Sequence, residues 1–205
     1  MSEYFIRMDA LKKHVFPNVE LRGSGNLFNQ LTITLDRVLV GAFDQINPGR
    51  KACSINLNVE SVFTKAFETC LGEDGGPSLN NMVFEIRQEN ILQQFDEFQL
   101  AANLIKSRDG LIAVDAIFSE TVGLVNLNKR HATFAKIFWR PGAEETLPAQ
   151  RDEIKRMQGE GLIFMLSRLD DEIGIKVGQD LGITVFQGFC TDDIMKAFKP
   201  ETMVT

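Results

Sequence analysis

GLIAVDAIF, residues 110–118, and NMVFEIRQ, residues 81–88, are built alike. In each, consecutive apolar residues (Leu111-Ile112-Ala113-Val114 and Met82-Val83-Phe84) end on a carboxylate, Asp115 or Glu85. Unbroken apolar runs between turn signals suit strands buried on both faces, as in a parallel sheet covered by helices. The carboxylate that ends each run then falls at a strand's carboxyl end, where β/α proteins keep their functional sites.

The same construction repeats along the chain. Strands are predicted at 52–57, 81–86, 111–114, 134–138, 162–166 and 184–186, and helices between them at about 61–71, 89–107, 121–128, 144–158 and 171–181. This alternation is a β/α rhythm. Before it, Gly23-Ser24-Gly25-Asn26 reads as a loop and N-cap for LFNQLTITLDRVLVGAF, where Leu27, Leu31, Leu35, Val38, Leu39 and Ala42 recur on one face and Asn47-Pro48-Gly49 ends the helix. Residues 9–16 carry apolar Ala10, Leu11, Val15 and Phe16 at helical spacing before Pro17. The expected fold class is α/β, a modified or incomplete TIM-like β/α barrel.

Composition narrows the function. The 205 residues are 44% hydrophobic and 24% charged, enough for one substantial core. A net charge of −6 without basic runs argues against nucleic acid as a partner. Cys53, Cys70 and Cys190 are odd in number and far apart, which fits a reducing compartment better than a disulfide framework. The first twenty residues interleave charges with apolar residues and supply no membrane span, so a cytoplasmic protein is expected. His14 and His131 follow no strand and suit surface or helix-end roles, residues 72–77 (GEDGGP) suit a plain connection, and sixteen Phe suggest a Phe-filled core in which Phe95 and Phe98 take part.

Polar residues recur where the apolar runs end: Asn56, Glu85, Asp115, Lys136 and Gln187. Carboxylate and amide oxygens suit a hard divalent cation such as Mg²⁺ or Mn²⁺, which can bridge phosphate oxygens and acidify a bound water.

SINLN (54–58), VFEIRQ (83–88), GLIAVDAIF (110–118), FAKIF (134–138) and LGITVFQGF (181–189) together resemble the EAL domain of cyclic-di-GMP phosphodiesterases. That family carries, in order, an Asn, an E-x-T-E run, a D-D-F-G run, a K-x-D run, an A-E-G-V-E run and a closing Gln-Gly. The resemblance covers about residues 27–189, with steps of 30 and 21 residues from Glu85 to Asp115 to Lys136. It implies Asn56, Glu85 and Asp115 as metal ligands, Lys136 as the site lysine and Gln187-Gly188 as the closing pair.

The departures bear on activity. Ala116 stands for the second Asp of D-D-F-G, Phe138 for the Asp of K-x-D and Gln88 for the second acid of E-x-T-E. LSRLD (166–170) takes the place of A-E-G-V-E, so Ser167 replaces the first Glu, the general base, and Asp170 is a shortened remnant of the second. A serine hydroxyl cannot act as base at neutral pH, and general-base catalysis is worth about 10²–10⁴ in rate. Three candidate ligands would hold a cation weakly or not at all. Lys136 could then neutralise Glu85 or Asp115 in a buried ion pair.

The expected protein is therefore no enzyme: a degenerate EAL-like domain over residues 27–205, preceded by a segment, 1–26, that lacks the E-A-L strand. It would need no cofactor and would act through a regulatory protein partner or a second copy, with cyclic-di-GMP sensing as a second role. Two rivals stand beside it. One is an active Mg²⁺- or Mn²⁺-dependent phosphodiesterase whose missing glutamate comes from the N-terminal segment or a second subunit, and the other is a nucleotide receptor without turnover. An absent first strand would leave an open sheet edge, for which residues 4–8 as a substitute strand and 9–16 as a covering helix are the candidates.

Overall fold

A computed structural model of the chain describes residues 2–4, 6, 11, 13–14, 25–71, 78–128 and 130–198. The chain forms two compact units, Met1–Ile112 and Ala113–Thr205.

In the first unit, β1 (Ser2–Tyr4) is followed by α1 (Gly25–Gly41), α2 (Phe43–Ile46), β2 (Cys53–Asn56), α3 (Lys65–Leu71), β3 (Met82–Arg87), α4 (Gln88–Gln93) and α5 (Phe95–Lys106). β1 pairs in parallel with β2, with Tyr4 opposite Ile55. β2 pairs in parallel with β3, with Asn56 opposite Glu85. Cys53, Ser54 and Ile55 are at most 1% exposed, as expected for a strand covered on both faces. The substitute strand is thus present but lies earlier than residues 4–8: only Tyr4 is shared, and Ile6 is outside any strand. Of the covering helix at 9–16, Leu11, Lys13 and His14 are helical and the rest lies outside the described residues, as does the 72–77 connection.

β4 (Leu111–Ile117) opens at the end of the first unit and runs into the second, which continues with β5 (Phe134–Phe138), α6 (Ala143–Thr146), α7 (Arg151–Gly159), β6 (Ile163–Ser167), α8 (Glu172–Asp180), β7 (Val185–Phe186) and α9 (Phe189–Phe198). β4, β5, β6 and β7 pair in parallel and in chain order.

Several expected elements take a different form. α1 buries Ile33, Asp36, Leu39 and Val40 and leaves Leu27 and Val38 more than half exposed, because its inner face is organised around the buried Asp36 carboxylate. The helix expected over 89–107 is interrupted at Gln94, whose extended φ of −143° separates α4 from α5. The one over 144–158 is divided by a 3₁₀ turn, Leu147–Gln150, where Pro148 has no N–H to continue the α pattern. No helix forms over 121–128: a 3₁₀ turn at Ser119–Thr121 is followed by turns and bends, with Gly123 at φ +84°. Phe43, Phe67, Phe84, Phe98 and Phe164 are among the largest fully buried side chains, whereas Phe95 stays 36% exposed.

Candidate functional site

In the first unit, Asn56 ends β2 beside Glu85, which is only 4% exposed on β3. The backbone beyond Asn56 is clamped from two helices. Asp36 of α1 accepts hydrogen bonds from Asn58 N (2.8 Å), Asn58 Nδ2 (2.8 Å) and Ser61 Oγ (2.7 Å). Asn90 Oδ1 of α4 accepts from Val59 N at 2.7 Å. Burial pushes the Asp36 carboxyl above its usual range even though those three bonds favour the charged form. Gln88, standing for an acid in the resemblance, is a buried amide.

The sequence reading missed Glu3. It lies on β1 opposite Ser54, and its Oε1 accepts from Asn56 Nδ2 at 3.3 Å. An acid on a strand beside the Asn strand is the arrangement that the E-A-L segment would supply. Only the parallel pairing of a three-residue strand reveals it, and no run that short carries periodicity.

In the second unit, the end of β4 is bulged. Ala113 faces Phe134, Val114 faces Ala135 and Ile117 faces Ile137, so Asp115 and Ala116 together oppose the single residue Lys136. Ala116 takes the left-handed conformation, φ +56°. Lys136 Nζ lies 3.8 Å from Asp115 Oδ1, with both side chains almost wholly buried. Lys136 therefore pairs with Asp115, one of the two partners expected for it.

Ser167 ends β6 opposite Phe138. It is 3% exposed and its Oγ donates to the Ile137 carbonyl at 3.2 Å, so the hydroxyl is turned into the sheet. Gln187 follows β7; its N–H donates to Leu166 O at 2.8 Å and its carbonyl accepts from Leu169 N at 3.2 Å. A Cβ on Gly188 would lie 2.2 Å from Leu169 N, which explains the glycine after Gln187. Gln187 and Asp170 are both exposed.

Aromatic rings and guanidinium groups line the same strand ends. Phe118 and Phe138 meet edge to face at 6.0 Å. Arg140 stacks over Phe118 at 4.6 Å and Arg168 over Phe138 at 3.9 Å. Arg140 also binds Glu120 at 2.6 Å, and that hydrogen bond holds the Glu120 carboxyl below its usual range. Arg168 takes φ +63°. The sequence carried a signal for it, since Arg168 occupies the Gly of the A-E-G-V-E pattern.

Of the three candidate metal ligands only Asp115 belongs to the second unit, and Lys136 Nζ lies 3.8 Å from it. Among the described residues no group of three or more His, Cys, Asp or Glu is placed to hold a metal ion. No helix among them is long and apolar enough to cross a membrane.

No protein-family model and no curated protein matches the chain. Solved structures do. The chain aligns with Vibrio cholerae LapD (S helix-GGDEF-EAL, bound to c-di-GMP) at TM-score 0.65 and 18% identity, over 81% of this chain and 44% of that one. It aligns with the FimX EAL domain of Xanthomonas citri, in complex with c-diGMP, at TM-score 0.60 and 14% identity, over 78% of this chain and 69% of that one. It aligns with Bacillus subtilis YkuI, a protein with an EAL domain, in complex with substrate c-di-GMP and calcium, at TM-score 0.54 and 17% identity, over 95% of this chain and 47% of that one. The chain thus spans less than half the length of LapD and YkuI. Its seven parallel strands have an EAL-like fold, the α/β class of an incomplete TIM-like barrel.

Proposed function

We propose that this chain is a catalytically inactive EAL-like signalling domain. It works in the cytoplasm by binding a regulatory protein partner or a second copy, with cyclic-di-GMP as an effector rather than a substrate. The observation that carries this reading is Ser167. The resemblance calls for a glutamate base there, and the chain has a buried hydroxyl that donates to a backbone carbonyl. Neither its chemistry nor its direction suits abstraction of a proton from water. Purified protein incubated with cyclic-di-GMP and Mn²⁺ or Mg²⁺ should release no linear dinucleotide. Metal-dependent release that is lost on Glu85→Gln would overturn the reading.

One observation favours a second reading, an active metal-dependent phosphodiesterase. Glu3, hydrogen-bonded to Asn56, is an acid from the N-terminal segment beside the remnant site. If that reading is right, Glu3→Gln abolishes the Mn²⁺-dependent hydrolysis.

A further inference from the structure

Arg168 is one of two non-glycine residues among the second unit's described residues, with Ala116, that take a left-handed backbone. A non-glycine residue at φ +63° carries backbone strain of about 1 kcal/mol or more, and such strain concentrates where a side chain has a task. Next to it, Leu169 N donates to Gln187 O at 3.2 Å, an ordinary hydrogen bond.

The guanidinium lies 3.9 Å from the centre of the Phe138 ring. Stacking fixes the plane of the group and lowers the entropy lost when its edge binds a ligand. No acid engages that edge among the described residues. Glu120 is taken up by Arg140. Asp171 is turned to the first turn of α8, accepting from Ile173 N (2.9 Å) and Gly174 N (3.2 Å). Next to Arg168, Ser167 is sunk and uncharged. An exposed, preorientated cation with no acid partner, beside the end of a strand, suits an oxyanion with two oxygens in one plane.

We propose that Arg168 is a metal-independent contact for a phosphodiester oxygen of a cyclic dinucleotide, its guanidinium supplying the positive charge that a divalent cation would otherwise bring. The inference rests on the nucleotide-effector part of the proposed function and adds the residue and the metal independence. It explains why an arginine is tolerated where glycine would be relaxed.

The test is isothermal titration of the full chain with cyclic-di-GMP, in EDTA and in Mn²⁺, for the native protein, Arg168→Gly and Arg168→Gln. The native protein should bind in EDTA with an affinity that Mn²⁺ leaves unchanged. Both variants should bind about tenfold or more weakly, the loss expected for a charge-assisted bidentate contact. Arg168→Gly relieves the left-handed strain, so its melting temperature should not fall, which separates lost binding from lost folding. Arg168→Gln keeps a side chain against Phe138 without the charge and guards against any rearrangement in the glycine variant. Equal binding by both variants, or binding that requires Mn²⁺, overturns the assignment of Arg168 and leaves the dinucleotide reading standing. A native protein that binds a glutamate-rich peptide but no cyclic-di-GMP overturns both, and makes the arginine a contact for an acidic protein partner.

Discussion

The two units treat the same kind of position in opposite ways. At the strand ends of the first, acid and amide oxygens remain together: Glu85 is buried opposite Asn56, and Asn56 donates to Glu3. At those of the second stand a buried ion pair, a buried hydroxyl, two phenyl rings and two stacked guanidinium groups. Ala116 and Arg168 hold left-handed conformations that suit Asp or Gly, the residues the resemblance puts there. What sets the units apart is charge balance at the rim rather than architecture.

The largest effect should come from unbalancing the second unit's buried pair. Lys136→Met leaves Asp115 without its compensating charge in an almost dry site, and removing one partner of a buried pair costs about 3–5 kcal/mol. Urea unfolding at neutral pH should show a loss of that order. A loss below about 1 kcal/mol would mean that the pair behaves as a surface contact and that charge balance does not distinguish the units.

Next comes the clamp in the first unit. Asp36→Ala strands the Asn58 N–H and the Ser61 hydroxyl and should cost about 2 kcal/mol. The same carboxyl sets a pH dependence. Burial raises its folded-state pKa, so as pH rises the unfolded chain gives up this proton first. Stability tied to Asp36 is fully present below the unfolded pKa, about 4, and is lost as pH rises through the folded-state value. Native protein should therefore lose stability relative to Asp36→Asn as pH rises above about 4, as read by thermal melts over a pH series. A difference that is flat with pH would show that the hydrogen bonds offset the burial.

How much of this was legible in sequence follows from the range of each interaction. The strands at 81–86 and 134–138 were legible because consecutive apolar residues must be buried on both faces; of the polar residues expected at strand ends, Asn56 ends its strand, whereas Glu85, Asp115 and Lys136 lie within strands that run on to Arg87, Ile117 and Phe138. The helix expected at 121–128 failed because Gly123 is needed at positive φ and turns replace the helix. The inner face of α1 was misplaced because a polar residue, Asp36, organises it, and a hydrophobic pattern scores polar residues as outward. Glu3 was invisible because only pairing with β2 gives its three-residue strand a meaning. The Asp115–Ala116 bulge and the stacking of Arg168 on Phe138 depend on register between strands, which the order of residues along one chain does not encode.

The smallest predicted effect concerns the left-handed residue in the second unit's bulge. Ala116 sits at φ +56° within a bulge, buried to 7% exposure, and its methyl group gives up conformational freedom that glycine would have there. Ala116→Gly should relieve that strain and raise stability by about 1 kcal/mol, a shift of about 2–4 °C in Tm for a chain of this size. Arg50 is the matched control in the first unit. It too has positive φ, +42°, but its guanidinium donates to Cys70 O at 3.2 Å and pairs with Asp44 at 3.0 Å. Arg50→Gly therefore loses contacts that outweigh the relief, and its Tm should stay level or fall. Opposite signs for the two variants in one calorimetric series would mark Ala116 as strain with no contact to compensate it. A fall in Tm for Ala116→Gly would mean that the methyl group packs well enough to justify its conformation, and the bulge would then be this chain's own construction.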